Sequence, residues 1–434
     1  MSSSILILIL LFLVIQTRKK PSRGILVYFC IRMIIPPSAR IFAFSFNTIS
    51  LAIVILCLLS SLRNSYKICS IKDKLYVRYA FNFFFVLFIL TLCSFIVPKT
   101  YQWSALVQML GTEILPSCLM LIYIRKTNDY RLFCRFVAYM SIFYATYSIY
   151  TYITSTNPIY DFFNTSENEG MDLIDYANGR MGLTGIAVGI YDDKIACSLI
   201  GLVLFMFLVS CDKINDTLRY GAAVLCIIAV FLTTQRTGLL CSGLFVAIMF
   251  LDKRKSNALR KYALIGIIVG VVFLNFFSNK IIDNAIYSIL YLFDDGMQQK
   301  LGVGGSSMEL RAFQYYNGLL YLGKSSLLQG AGFGFPQYYY RFIWNSELYG
   351  MDYRFAGFES FTLKILMNSG IIGLLCWCLY FYKIYRKVLG KGIYNLAYIS
   401  VYVFAIILTD ASASLYLFFM LLVLNLKNQS QLKI

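Results

Sequence analysis

Apolar residues run through this chain in blocks long enough to cross a bilayer, and polar residues gather in the joints between them. A membrane-spanning helix needs about 20 such residues, rising about 1.5 Å each. Blocks of this kind lie near 4–16, 25–36, 41–60, 79–97, 103–124, 133–153, 195–211, 219–234, 237–251, 262–278, 361–382, 393–409 and 413–425. They lack the two-residue alternation of a barrel strand, and in hydrocarbon only helices or closed barrels satisfy their own backbone groups. The pattern predicts an all-α polytopic membrane protein of about 11–13 transmembrane helices, one transmembrane domain over 1–434. Arg32 and Pro36-Pro37 interrupt the second block, and this sets the spread in the count.

Two polar stretches break the rhythm, at 154–194 and at 279–360. The later one is too long to be a mere connection. Leu310–Leu322 and Ala356–Leu366 have the composition of short helices lying along the membrane. The chain re-enters an apolar block directly after Gly357-Phe358-Glu359-Ser360.

Composition agrees with this class: 59% of residues are hydrophobic and only 14% charged. The net charge of +18 would point to nucleic acid in a soluble protein. Here the basic residues sit in short joints, at Arg18-Lys19-Lys20, Arg63 to Arg78, Arg125 to Arg135, Lys253 to Lys261 and Lys383 to Lys391. That distribution follows the positive-inside rule and argues against a nucleic-acid partner. Fourteen of the 21 acids fall in the two long polar stretches, which are therefore expected on the outer side of the membrane. The tail, Leu426 to Ile434, falls on the cytoplasmic side.

The twelve cysteines avoid both long stretches and read as unpaired, buried small residues. Cys376-Trp377-Cys378 lacks metal-ligand spacing, and the chain has no histidine, the commonest general base and metal ligand. The N-terminus shows no signal-peptide cleavage pattern, so residues 4–15 read as a first span.

Parity isolates one arginine. The joints Lys213 to Arg219 and Asp252 to Lys261 are both basic, so the chain between them crosses twice. The turn falls at Thr233-Thr234-Gln235-Arg236-Thr237-Gly238. Each arm of about 16 residues rises about 24 Å, short of a core about 30 Å thick. Arg236 is thus expected below the surface, where a guanidinium marks a pairing or a function.

Arg236-x-x-x-Leu240 reads either as an arginine snorkelling to head groups or as an anion site whose planar fork suits phosphate. Arg311 is either an ordinary solvated charge or a second arginine on the same anion. Gly330-Ala331-Gly332-Phe333-Gly334 is either a flexible turn or a place where backbone approaches a substrate closely. It lacks the Lys-Ser/Thr of a nucleotide loop. Glu359 is either a cap or dipole-matching acid for the span beginning near Phe361, or a general base made more basic by partial burial. Glu113, inside a span, and Asp410 are lesser candidates. Tyr338-Tyr339-Tyr340 reads as an interfacial belt ahead of a sugar-stacking platform.

In their order, these motifs resemble those of the bacterial O-antigen polymerase family, relatives of the O-antigen ligases. That family combines many spans with one large late periplasmic loop, an Arg-x-x-x-Leu motif at a span end and a Gly-x-Gly loop. A His then stands ahead of a Gly-x-x-Gly that opens the next span, with ten residues between them. Here the corresponding residues are Arg236 to Leu240, Gly330 to Gly334, and Glu359 ahead of Gly370-Ile371-Ile372-Gly373. Glu359 occupies the place where the family often has His. The resemblance spans about 219–382; the N-terminal half matches in hydropathy alone.

The resemblance implies a membrane glycosyltransferase of lipopolysaccharide biosynthesis in the bacterial inner membrane, working at the periplasmic face. It would transfer a growing glycan from undecaprenyl pyrophosphate to the non-reducing end of another lipid-linked repeat unit. Its partners would be undecaprenyl-pyrophosphate-linked oligosaccharides, membrane lipids and a chain-length regulator protein. It implies no cofactor and no metal, because a lipid pyrophosphate is already an activated leaving group. Arg236, Arg311 and Glu359 would be catalytic; Arg180, Arg341, Arg354 and Gly330, Gly332 and Gly334 would bind substrate. An O-antigen ligase and a polysaccharide flippase are the rival expectations. A flippase of the transporter type predicts internal repeats, and none is visible here.

Overall fold

The structure, a computed structural model, describes residues 2–41, 44–124, 127–163, 187–211, 213–233, 235–250, 307–339, 358–389 and 392–430. Its helices are α1 Ser2–Lys19, α2 Pro21–Ile34, α3 Phe46–Lys67, α4 Ile71–Cys93, α5 Lys99–Gln108, α6 Leu115–Tyr123, α7 Thr127–Thr154 and α8 Pro158–Phe163. They continue as α9 Lys194–Ser210, α10 Asp216–Leu232, α11 Arg236–Phe250, α12 Ser307–Ser325, α13 Phe335–Tyr338, α14 Phe361–Lys383, α15 Ile393–Leu408 and α16 Leu415–Ser430. The described strands form one antiparallel pair, Arg40–Ile41 with Phe44–Ser45. The architecture is all-α, as the hydropathy predicts. Among the described residues, five helical stretches are long and apolar enough to span a membrane: Phe46–Lys67, Ile71–Cys93, Lys99–Tyr123, Asp129–Thr154 and Phe361–Leu389. The predicted span 262–278 lies outside the described residues.

The internal contacts divide the chain into two compact units. The first comprises Met1–Cys69, Leu119–Ser242 and Tyr416–Ile434. Its centre is α9, buried at every position from Ala196 to Val209 and apolar all round, as a fully enclosed helix must be. Arg32, which interrupts the second apolar block, is buried in α2 with its guanidinium 4.0 Å from the centre of the Tyr416 ring. The Tyr191 hydroxyl donates to the Arg32 carbonyl at 2.5 Å. The helix stops at Ile34, ahead of Pro36-Pro37, because a residue preceding proline disfavours the helical region. The flanks of the acidic stretch are laced together by Asn157, whose amide donates to the Gly189 carbonyl at 2.8 Å and to Asp192 at 3.0 Å.

The two short helices expected on either side of the turn before Arg236 are present. α10 begins with an Asn215 cap on the Thr217 amide and ends at Leu232; α11 begins at Arg236. Thr233 accepts from the Gln235 amide at 3.3 Å and closes the turn. The arms of 17 and 15 residues rise about 26 and 23 Å, both short of the bilayer core. Gly238 lets α11 approach α9 and α10, since a Cβ there would collide with the Ser198 hydroxyl and meet Val230 at 3.1 Å.

The second unit comprises Ser70–Cys118 and Gly243–Leu415. α4 opens with a reciprocal capping box between Ser70 and Asp73. Its last carbonyls are taken by Lys99, whose ammonium donates to Thr91 at 2.7 Å and Leu92 at 2.9 Å. Between α5 and α6 the helix widens into a π-turn, Met109–Ile114, that carries Glu113. The two helices foreseen near the late loop come out differently. The first is longer than expected, running from Ser307 to Ser325. In the second, Phe358 to Ser360 are not helical and the helix starts at Phe361, because Ser360 has extended backbone and caps it.

Candidate functional site

The second unit builds its site around a helix that breaks. α14 runs from Phe361 to Lys383, yet Gly370 inside it has φ 64° and ψ −164°. That conformation is open essentially to glycine alone. The break would strand backbone groups on both sides of it, a serious cost in a hydrocarbon setting. The glycine run supplies the partners. Ala331 and Gly332 donate their amides to the carbonyls of Met367 (2.8 Å) and Asn368 (3.2 Å). Beyond the break, the amides of Ile371 and Ile372 donate to Leu327 and Leu328, each at 3.1 Å. The Asn368 side chain accepts from the Phe335 amide at 3.2 Å. The segment Leu327 to Phe335 is thus a clasp closed on the gap in α14.

Two glycines make that closeness possible. A Cβ on Gly330 would sit 2.5 Å from the Gly370 nitrogen, and one on Gly332 would sit 2.8 Å from both Gln102 and Ser94. Both residues are buried with positive φ. The run was expected to bring backbone up to a substrate. In the structure it brings backbone up to α14, and Gly330, Gly332 and Gly334 act on the site through that helix.

The other end of this half-helix carries Glu359 and Ser360. Ser360 is the cap, accepting from the Leu363 amide at 3.5 Å, donating to the Ile407 carbonyl at 2.8 Å and sharing a hydrogen bond with the Tyr315 hydroxyl at 2.7 Å. The Phe361 amide donates to Thr409 at 3.1 Å, and the Thr362 hydroxyl donates to Ile406 at 3.2 Å. The amide of half-buried Glu359 donates to the Gln314 side chain at 3.3 Å. The carboxylate therefore stands one residue before the cap, on backbone held by α12 and α15. The cap reading of this acid belongs to Ser360 instead.

Gln314 and Tyr315 define the face of α12 turned to α14, and Gly318 continues it, since a Cβ there would meet Leu363 at 3.0 Å and Met367 at 3.2 Å. Arg311 lies three and four residues earlier in α12, one turn nearer its start. The side chains of Arg311 and Arg236 lie outside the described residues, as do Arg180, Arg341 and Arg354 entirely. Arg236 opens α11 within the first unit.

Among the tyrosines, Tyr339 is buried edge-on to Phe358, with ring centres 6.0 Å apart, and Tyr338 meets Tyr101 edge-on at 6.0 Å. They pack the core beneath the clasp with Phe335 and Leu363. The belt role expected of them does not hold for Tyr339, which is only 3% exposed. Glu113 accepts from the neighbouring Thr112 hydroxyl at 3.0 Å. Asp410 receives the ammonium of Lys364 at 2.6 Å and also the amide and hydroxyl of Ser412, at 3.2 and 2.7 Å. Lys364 is absent from the candidates drawn from sequence because it lies inside an apolar block. A cation so near the start of a span, paired with the acid that ends the next, was the available signal.

The fold and this site define the class: an all-α, multi-pass membrane protein with a broken helix clasped by a glycine-rich segment. Residues 221–378 match the family model described as O-antigen ligase, well under half of the chain. The match contains Arg236, Arg311, the glycine run, Glu359 and the broken part of α14, and it bears out the resemblance those motifs carry. No curated protein gives a match to the chain.

Proposed function

We propose that this chain is a polymerase of lipid-linked oligosaccharide repeat units, placed in the bacterial inner membrane and working at its periplasmic face. The observation that carries the reading is Glu359, held at the capped end of a clasped half-helix inside the stretch that matches the O-antigen ligase family. In the reaction proposed, a hydroxyl at the non-reducing end of one lipid-linked unit attacks the anomeric carbon of a glycan carried on undecaprenyl pyrophosphate. The new C–O bond forms as the bond to the pyrophosphate oxygen breaks. Glu359 takes the hydroxyl proton, and the polyprenyl pyrophosphate leaves with the bonding pair.

Arg236 and Arg311 are assigned to the charge that grows on the leaving pyrophosphate, because preorganised guanidinium donors stabilise an oxyanion best where water is scarce. Arg180, Arg341 and Arg354 are assigned to the head group and glycan. The clasp glycines fix the helix that presents Glu359. A chain without histidine has no imidazole to serve as base, and this favours a polymerase over a ligase built around one.

Replacing Arg236 with alanine is expected to abolish long chains while single repeat units still reach lipid A core. Gel separation of the lipopolysaccharide checks this, and a normal long-chain ladder from that variant removes Arg236 from the site. A ligase would instead leave polymer accumulating on undecaprenyl pyrophosphate when the gene is lost.

A further inference from the structure

Helix α12 has its polarity reversed for a helix in an aqueous loop. Gln314 is buried, together with Gly318 and Leu322, while Tyr316, Leu319 and Leu320 are exposed. A helix lying in water carries its charges on the outer face. Here the stretch 312–323 holds no charged residue at all. The contacts fix the direction of the helix. Gln314 and Tyr315 meet Glu359 and Ser360, Gly318 lies against Leu363 and Met367, and Leu327 and Leu328 take the amides of Ile371 and Ile372. α12 therefore runs beside α14 in the same direction, and the chain turns only at the break. It then climbs back, with Ala331 bonded to Met367 and Tyr339 packed on Phe358, ahead of the start of α14.

α14 supplies a ruler for depth. Its charged residues, Lys364 and Lys383, stand about 28 Å apart along the helix, close to a hydrocarbon core about 30 Å thick. On that scale Leu328 bonds α14 about 12 Å below Lys364. Its side chain is nevertheless 63% exposed, and its partner Ile372 is exposed too, as are Leu375 and Leu379 further along the span. The apolar face of α12 thus runs on into the outer stripe of a membrane helix. Irregular backbone is tolerated at such depth only where its own groups are paired. Around this turn they are. Besides the bonds across the break, the Ser326 hydroxyl donates to the Gly330 carbonyl at 2.7 Å, the Gly330 amide to the Ser326 carbonyl at 2.8 Å, and the Val97 amide to the Ala331 carbonyl at 3.3 Å.

We propose that α12 and the clasp form a re-entrant hairpin whose outer face, Tyr316, Leu319, Leu320, Leu327 and Leu328, docks on the acyl chains of bilayer phospholipid. Bulk lipid is the occupant because the face continues that of a span. The late polar stretch, expected wholly outside, dips into the membrane here and leaves Glu359 near the water boundary. None of this depends on the polymerase reading.

The test places the photoreactive residue p-benzoylphenylalanine at Leu320 or Leu328 of the full chain in phosphatidylcholine nanodiscs. Irradiation should give phosphatidylcholine adducts at both positions, attached through the acyl chain, as at Leu375 on the face of α14. No adduct, attachment through the head group alone, or a protein cross-link would each overturn the proposal. So would strong enrichment of a trace of undecaprenyl phosphate over bulk lipid, which marks a specific prenyl site. Leu328→Lys gives a second readout, since a lysine at bilayer depth is costly: its melting temperature in nanodiscs should fall by about 5 °C or more. Leu328→Phe should melt like the wild type. If Leu328→Lys does so as well, the face lies in water and the hairpin does not enter the membrane.

Discussion

Replacing Gly370 with alanine should cost the second unit its folded structure. The φ of 64° with ψ −164° lies where an L-residue is strained by about 1–3 kcal/mol. The added Cβ would also collide with the Leu328 carbonyl and lie 2.5 Å from the Gly330 nitrogen. Neither neighbour is a side chain able to turn away; both are backbone already committed to the clasp. Relieving the clash means pulling the clasp open and stranding the amides and carbonyls it pairs across the break. The combined loss is expected to reach about 3 kcal/mol or more, large for one methyl group. Gly221→Ala is the control, since that glycine lies in α10 with open space around its Cα. It should be neutral or slightly stabilising, by up to about 1 kcal/mol. Thermal melts of the two variants in detergent check both. Equal melting temperatures would mean that the break in α14 is not a fixed feature of the fold.

The second large effect falls on activity alone. Glu359→Gln should reduce polymer formation by about 10²- to 10⁴-fold, the usual contribution of a positioned general base. Its melting temperature should fall far less than its activity, because the Ser360 cap of α14 stays in place. Ser360 caps α14, and the Gln314 contact is made by the Glu359 main-chain amide, so both survive the change of side chain. An acid serving only the helix dipole would contribute about 0.3–1 kcal/mol and leave polymerisation intact. Turnover with purified lipid-linked repeat units, read beside the melt, separates the two roles. A variant that polymerises normally removes Glu359 from the chemistry.

Much of this fold is legible in the chain because bilayer thickness and helix rise are fixed quantities. The block predicted at 195–211 is α9, Lys194–Ser210, and the one at 361–382 is α14, Phe361–Lys383. The two short helices on either side of the turn before Arg236 follow from charge placement and a count of residues. Contacts between distant segments were not legible. Nothing in Gly330 to Gly334 says that its amides belong to Met367 and Asn368, or that Gly370 leaves room for them. Those glycines read as freedom to meet a ligand, and the same freedom serves close contact between two stretches of backbone. Lys364 was hidden by its apolar neighbours, although the acid that receives it, Asp410, stood out at the end of a span. Glu359 was visible for its position, and the serine beside it, which does the capping, was not.

The clasp also orders events on the ribosome. Every group that closes the gap in α14 lies upstream of it, from Leu327 to Phe335, and has been synthesised before Gly370 emerges. The groups that fasten the Glu359 end are split in time: Gln314 and Tyr315 come early, while Ile406, Ile407 and Thr409 come last. A nascent chain halted after α14 can therefore shut the gap but cannot complete the seat of the carboxylate. The chemistry proposed here would switch on only when α15 has arrived, so an unfinished protein in the membrane stays silent.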